Sequence, residues 1–458
     1  MDITYQYQEP STIEKTKDKS TLFLSHYNEN YKEQETPCFF WGKLNEPYII
    51  ARSLLTLSKI VASNFMPTSA SLRDPVITAG GNKLRLEAFS SCCSVYGKVT
   101  VLPNAIDGEF LQQGTTNVDF NTEMISSLSQ IKRNENVFFS VGKKEVVLQK
   151  NNKKVVEKKV SLPLRWIKGM ATIQLLAAEM KSSLVLDKLQ IQLLFRAIPK
   201  GNIKADYYLS LRGRKPFLSP INSRNSIFIG GIHRLRLVEG LIPLANKLTI
   251  FTLESNNATA FQFHLSNVLF TITLSKSFWR GFSGEGNTLE NLIEDIPTEW
   301  LKKLDNYAKI NEEFSPKDAI LKEVSNISFK SITTRLSAMG LLGFDLENQV
   351  YYYRKLPFKL DRIETLNPRY KNALKLISKN AYELIAVDSK HFETKIKGSG
   401  VTHKVVITQK NARCTCTWFA THENNRGFCK HILASKILKN NTEKQITELL
   451  EEFGLTSN

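Results

Sequence analysis

Four residues near the end of this 458-residue chain have the types and spacing of a metal site: Cys414-Thr-Cys416, then twelve residues, then Cys429-Lys-His431. Three thiolates and one imidazole complete a tetrahedral shell for Zn²⁺. A shell filled by protein donors is a structural site, because no position is left open for substrate. Three of the six cysteines fall in this short stretch, which points to metal ligation and away from a disulfide framework. Cys429 opens an apolar-patterned helix that runs to about Lys439, where the helix dipole favours a thiolate. Three thiolates on Zn²⁺ leave a net charge of −1, which Arg413, Arg426 and Lys430 are placed to offset.

Other candidates carry less. Asp107, Glu109 and Asp119, with Gly108 and Gly114 beside them, are carboxylates for a cation or for acid–base work, but the same residues serve turns and solvated surface. His264 lies inside an alternating strand with no second ligand at useful spacing. Gly281, Gly284 and Gly286 lack the Lys-Ser/Thr of a phosphate loop. Cys92 and Cys93 read as strand residues on opposite faces, and Cys38 carries no signal. No nucleophile–base pair and no second metal set emerges, so the expectation is a non-enzyme.

The elements around the cysteines follow from pattern. Val401 to Thr408 alternates as a strand, and a turn at Asn411-Ala412 leads to the first cysteine pair. Upstream, Ser315-Pro316-Lys317-Asp318 is a capped helix start, and a short helix should run to about Val324. A second helix spans Ser328 to Met339, with Phe329, Ile332, Leu336 and Met339 on one face, and Gly340 stops it. Two strands, Gly343–Leu346 and Gln349–Tyr353, complete the order of a winged helix. Its second helix would expose Lys330, Thr333, Thr334 and Arg335.

The remainder is strand-rich. Leu84 to Pro103 alternates and breaks at Gly97 and Pro103. Val137 to Val160 reads as hairpins with breaks at Gly142-Lys143 and Asn151-Asn152, its lysines alternating with valines: a solvated face, or one that binds anions. A helix covers Met170 to Lys181. Strands recur at 227–229, 248–253, 261–264 and 268–274. The expected fold class is therefore α+β and multidomain: a β-rich N-terminal domain over 1–160, an α+β middle domain over 161–305, a winged-helix-like domain over 306–360, and a C-terminal region over 361–458 whose finger spans about 401–440. The polar stretch Lys302–Phe314 is the expected cleavage point.

The net charge is +18 and is localised. Arg354 to Lys439 holds eighteen Lys/Arg against six Asp/Glu, a net of +12, and Gln130 to Met170 holds eleven against three, a net of +8. A basic surface favours polyanions. Around the finger the candidate phosphate-binding residues are Lys404, Lys410, Arg413, Arg426, Lys430, Lys436 and Lys439. The chain lacks an apolar run of ~18–20 residues for a membrane helix, and its first residues lack a secretory core, so a cytoplasmic protein is expected.

The C-x-C-x(n)-C-x-H order resembles the SWIM zinc finger. Ala88–Tyr96, Leu111–Asn121, Pro163–Gly169 and the stretch ending Leu356-Pro357-Phe358 are similar to segments of a bacterial family of SWIM zinc finger proteins. The resemblance implies one zinc ion on Cys414, Cys416, Cys429 and His431. It also implies an adaptor role beside a MoxR-type AAA+ ATPase and a von Willebrand factor A protein, with DNA or protein as the finger's ligand. The alternative is a direct DNA-binding protein in which finger and winged helix both touch the duplex.

Overall fold

The computed structural model describes residues 12–16, 19–23, 38–65, 75–276 apart from 152, 163, 202, 204 and 256, and then 281–283, 298–315, 326–356, 368–388, 391–398, 400–409, 411–424 and 427–452. Met1–Pro37 forms one unit and Cys38–Asn458 another. In the first, strands β1 (Thr12–Thr16) and β2 (Lys19–Phe23) pair antiparallel.

The second unit mixes helices and sheets. Strand β3 (Cys38–Leu44) leads into helix α1 (Pro47–Ala62), which starts with proline at its first position. Strands β4 (Val76–Gly80), β5 (Lys83–Phe89), β6 (Val95–Val101), β7 (Ile106–Phe110) and β8 (Gly114–Asn117) follow. Next come helix α2 (Thr122–Ser129) and strands β9 (Val137–Gly142), β10 (Glu145–Lys150) and β11 (Lys153–Lys158). The lysine–valine stretch thus forms two hairpins that turn where the Gly-Lys and Asn-Asn pairs lie. Helix α3 (Leu164–Glu179) begins ahead of the expected Met170 and leads to β12 (Lys181–Asp187) and helix α4 (Lys188–Ala197). Strands β13 (Tyr207–Arg212), β14 (Lys215–Ser219) and β15 (Ile227–Ile229) make a small sheet of their own, and β16 (Lys247–Thr252), β17 (Ala258–His264) and β18 (Val268–Ser275) follow.

Two larger sheets organise these strands. One has five strands in the order β11-β10-β9-β3-β7, and the other has eight in the order β12-β16-β17-β18-β6-β5-β4-β8. The eight-stranded sheet joins β6 to β18, so it takes strands from both sides of the boundary expected at 160/161. That boundary does not divide the described residues. Gly97 does not break a strand either: it is the middle of β6, where a Cβ would lie 2.8 Å from both Ile60 Cδ1 and Leu57 Cδ1 of α1. The break comes at residues 90–94, a buried turn in which Cys93 has φ 57°, so Cys92 and Cys93 are turn residues.

Strands β5 and β6 are buried on both faces. Their apolar side meets α1. Their charged side is covered by β19 (Glu313–Phe314), β20 (Leu342–Asp345) and β21 (Val350–Tyr353), a three-stranded sheet in the order β19-β21-β20. Arg85 donates to Asp345 Oδ2 from Nε at 3.0 Å and from Nη2 at 2.7 Å, and Lys98 pairs with the same carboxylate. Lys83 Nζ lies 2.8 Å from Glu313 Oε1. Glu87 pairs with Arg354 and accepts from Tyr96 Oη at 2.5 Å and Gln174 Nε2 at 3.2 Å. Burial alone would raise the Glu87 carboxyl, but Arg354 and Lys98 outweigh it and hold it below the ordinary range. Asp345 is likewise held down, by Arg85 and Lys98 against its burial.

This arrangement corrects two expectations. Lys302–Phe314 is no linker: helix α5 (Thr298–Asn311) places Leu304 and Ala308 in the core, and Phe314 of β19 joins them. Nor do residues 306–360 stand apart, since Phe329, Leu336, Phe344 and Tyr351 belong to the core that holds Phe40 and Ile272. The second expected helix exists as α6 (Asn326–Ala338), followed by Gly340 at φ 73° and the β20–β21 hairpin. The first, from Ser315 to Val324, lies largely outside the described residues. Of the face expected to be exposed on α6, Thr333 is fully buried and donates its hydroxyl to Phe329 O at 2.9 Å. Lys330 is exposed, 3.1 Å from Glu179. Among the described residues no helix is long and apolar enough to cross a membrane.

The C-terminal region has its own core. Strands β22 (Tyr382–Val387), β23 (His391–Lys397), β24 (Thr402–Thr408) and β25 (Ala412–Cys414) form an antiparallel sheet in sequence order. Helices α7 (Pro368–Ser378), α8 (Thr417–His422) and α9 (Lys430–Glu452) accompany it. Phe392, Ile396, Val405, Ile407, Ile432 and Leu433 pack together beneath the sheet.

Candidate metal centre

The four sequence-selected ligands converge. Cys414, Cys416, Cys429 and His431 are all buried, and their ligand atoms lie within 4.8 Å of one another. Each is delivered by a different local device. Cys414 ends β25, whose pairing with Val405 turns its side chain to the core side. Thr415 then locks the corner: its N–H donates to Lys404 O at 3.1 Å, and its hydroxyl accepts from Lys404 N at 3.0 Å. Cys416 is the N-cap of α8, and its sulfur accepts from Phe419 N at 3.5 Å. Cys429 stands just before α9 and accepts from Ile432 N at 3.4 Å. His431, in the first turn of α9, brings Nδ1 to 3.7 Å from Cys414 Sγ.

That last distance fits a metal. Zn–S bonds of about 2.3 Å and Zn–N bonds of about 2.0–2.1 Å put tetrahedral neighbours roughly 3.5–3.8 Å apart. The donors are soft sulfur and imidazole, the set that favours zinc over hard cations. His431 Nε2 is buried and has no hydrogen-bond partner among the described residues. The imidazole therefore turns Nδ1, not Nε2, towards the sulfurs. Two helix N-termini direct backbone N–H groups at two of the sulfurs, which stabilises thiolate charge.

The sulfurs also compete for protons. The Cys414 thiol donates to Cys429, and together with His431 and Ile432 N–H this holds Cys429 down at about 4. The same hydrogen bond, with burial, pushes Cys414 far up; burial and the Cys429 charge push Cys416 up. A cation on all three sulfurs would relieve that conflict.

The sequence missed three supporting residues. Arg369 of α7 donates from Nη1 to Gly427 O at 3.1 Å and Phe428 O at 2.8 Å, and lies 4.4 Å from the Trp418 ring centroid. It pins the turn that presents Cys429. Trp418 Nε1 donates to the same Gly427 O at 3.2 Å. The His403 ring lies against His431 with centroids 4.4 Å apart and planes tilted by 38°, and its pKa is lowered by burial and then by His431. No spacing rule connects Arg369 to the cysteines, because it belongs to another helix.

The seven basic candidates do not form one surface. Strand alternation puts Lys404 and Arg413 on the side of the sheet away from Val405 and Cys414. Arg413 therefore points away from the sulfurs and does not offset their charge, contrary to the expectation. Lys404 pairs with Glu393 at 2.7 Å. Lys430, Lys436 and Lys439 are on α9, which packs on the other face, and Lys436 lies 4.0 Å from the Phe428 ring centroid. Lys410 and Arg426 lie outside the described residues.

The other candidates separate as well. Asp107 and Glu109 are exposed on β7, while Asp119 follows β8 beside Glu157, whose carboxyl is pushed up to about 7 by burial and then by Asp119 and Glu123. His264 is half-buried with Nε2 3.4 Å from Glu347 Oε2. Gly281 takes φ 50° in a turn beneath Cys93, where a Cβ would lie 2.0 Å from Cys93 O; Gly284 and Gly286 lie outside the described residues.

No protein-family description matches the chain, and no curated protein matches it. Among solved structures it is similar to the proliferating cellular nuclear antigen of Entamoeba histolytica, with 11% identity and a TM-score of 0.36 over 52% of this chain and 98% of that one. It is also similar to the PCNA2–PCNA3 complex of Sulfolobus tokodaii, with 7% identity and a TM-score of 0.37 over 51% of this chain and 98% of that one. Likenesses of that degree carry no argument about this chain.

Proposed function

We propose that the Cys414/Cys416/Cys429/His431 cluster holds one structural Zn²⁺, and that the chain is a non-enzymatic binding protein presenting a SWIM-type finger to a DNA or protein partner. The observation that carries this reading is the closed set of four buried donors, with one distance of 3.7 Å matching a tetrahedral edge. When bound, the ion supplies cross-linking. It ties β25, the start of α8 and the start of α9 into one corner. The protein's own residues fix the donors: Thr415 holds the Cys414 corner and Arg369 holds the Cys429 turn.

The adaptor role beside a MoxR-type ATPase and a von Willebrand factor A protein rests on the resemblance alone. The runner-up, direct DNA binding by finger and winged helix together, is weakened by α6, which sends Thr333 into the core. Elemental analysis of purified protein should find about one zinc per chain. Cys414→Ser should lose it, and a Cys414→Ser protein with full zinc content would sink the assignment. Purifying the native complex with and without nuclease then separates partners. Loss of bound proteins on nuclease treatment points to DNA, and retention points to the adaptor.

A further inference from the structure

Another surface with exposed aromatic and basic residues lies far from the cysteines in sequence, on the five-stranded sheet. One face of that sheet is core, built from Phe40, Val137, Phe139, Val141, Val146 and Leu148. Alternation sends the intervening residues to water. Trp41 is among them and is 51% exposed. Its ring lies nearly parallel to that of Phe138, with centroids 6.0 Å apart and planes at 21°. The pair is a diagonal cross-strand contact that supports the sheet, and it leaves half of the Trp41 surface open to water.

The strand register orders the rest of this face. One row across the sheet reads Asp107, Lys43, Phe138, Gln149, Lys154. The next reads Glu109, Trp41, Ser140, Val147, Val156. In a third, Glu145 on β10 pairs with Lys158 on β11. Asp107 and Glu109 therefore line the β7 edge, Lys43, Trp41 and Phe138 occupy the middle, and Lys154 and Lys158 line the β11 edge, with Glu145 opposite Lys158. From Phe138 on β9 to Lys154 on β11 is two strand spacings, about 10 Å between backbones.

That order matches the parts of a nucleotide. Rings take the flat face of a base, lysines take phosphate, and carboxylates accept hydrogen bonds from base amino groups. An acidic peptide would use the lysines but would leave the ring pair without a role. In a duplex the base faces are stacked inward and cannot reach a ring. We infer that the water-facing side of the β11-β10-β9-β3-β7 sheet binds single-stranded nucleic acid by stacking bases on Trp41 and Phe138, with the phosphates directed towards Lys154 and Lys158. This site is independent of the zinc module.

The test uses full-length, zinc-loaded protein and fluorescein-labelled 15-mers of oligo(dT) and oligo(U), followed by anisotropy at ~50 mM salt. Wild type should bind and weaken as salt rises. Trp41→Ala should weaken binding at least about fivefold, the lower end of one lost base stack, while Trp41→Phe keeps most of the affinity. Lys154→Glu with Lys158→Glu should reduce the log–log salt slope by about 0.7 for each phosphate no longer neutralised. Lys404→Glu with Arg413→Glu, on the finger sheet, should leave the Trp41 dependence in place. The inference is overturned if wild type does not bind, or if Trp41→Ala binds as wild type does. It is equally overturned if a duplex of the same length binds as tightly and is indifferent to Trp41, or if Trp41→Ala abolishes only self-association. Lys154 and Lys158 are exposed, so their variants should melt as wild type does; Trp41→Ala loses only its contact with Phe138, and should it fail to fold, an unchanged affinity and salt slope in the lysine variant overturns the inference.

Discussion

The body and the C-terminal region both bury polar groups that water would otherwise solvate, and they neutralise them differently. In the body, Glu87 meets Arg354, and Asp345 meets Arg85 and Lys98, so each of these buried charges finds its partner within the chain. In the C-terminal region three thiols and an imidazole converge with no cationic side chain among them, and one nitrogen is left without a partner among the described residues. The first arrangement is complete once the chain folds. The second would be completed by the zinc ion proposed for it. On that proposal, stability in one region is intrinsic, and in the other it is linked to metal supply.

The largest expected effect breaks the second arrangement alone. Small zinc-dependent modules draw roughly 10–16 kcal/mol of apparent free energy from the metal at neutral pH. A strong chelator, or Cys414→Ser, should therefore unfold the core around Ile432 and Leu433 while the body keeps its melting transition. Hydrogen exchange with mass spectrometry would read this directly. Loss of protection should be confined to residues C-terminal of the body, and equal loss in β5 and β6 would refute the division. Cleavage should follow the same line. Lys302–Phe314 should resist proteases, since α5 and β19 are part of the body's core.

Next in size is the body's own pairing. Arg354→Met removes the cation facing Glu87 and leaves a buried carboxylate uncompensated, which should cost about 3–5 kcal/mol. Adding Glu87→Gln should recover part of that loss. If the double variant is no more stable than the single in urea unfolding, the pair is not what the charge serves.

Acid should separate the two regions by pH. Glu87 and Asp345 have carboxyls held below their ordinary values, so the stability they give is fully present above about pH 4 and is lost as pH falls through the lower folded values. The metal cluster responds in the same direction: thiolates and imidazole must be deprotonated to bind zinc, so protons displace the ion as pH falls. Zinc release, followed with a chromogenic chelator, should precede the acid unfolding of the body, followed by circular dichroism. Coincident transitions would contradict the separation.

The smallest effect tests packing within the body. Gly97→Ala puts a methyl group 2.8 Å from Ile60 and Leu57, and side-chain tips can yield only partly. A loss of about 1–3 kcal/mol is expected in thermal or urea unfolding, with zinc content unchanged.

The Cys/His cluster was legible because its chemistry is local. Cys414-x-Cys416 and Cys429-x-His431 are short pairs set by a strand end and two helix starts, and sulfur at that spacing has few other uses. The hairpins of β9 to β11 were legible for the same reason, since Gly-Lys and Asn-Asn turns act over two residues. Domain limits were not. Alternation in Lys83-Leu-Arg-Leu-Glu87 determines a strand with one charged face, and a charged face ordinarily reads as solvent-facing. Only the tertiary structure covered it with Asp345, Glu313 and Arg354, contributed by residues more than two hundred positions away. The same applies to Arg369 at the Cys429 turn and to Trp41 beside Phe138. Sequence fixes period and local chemistry, because these are properties of neighbours along the chain. Which face meets another element, and which charge meets its partner, depends on closing long loops, and no local pattern encodes that closure.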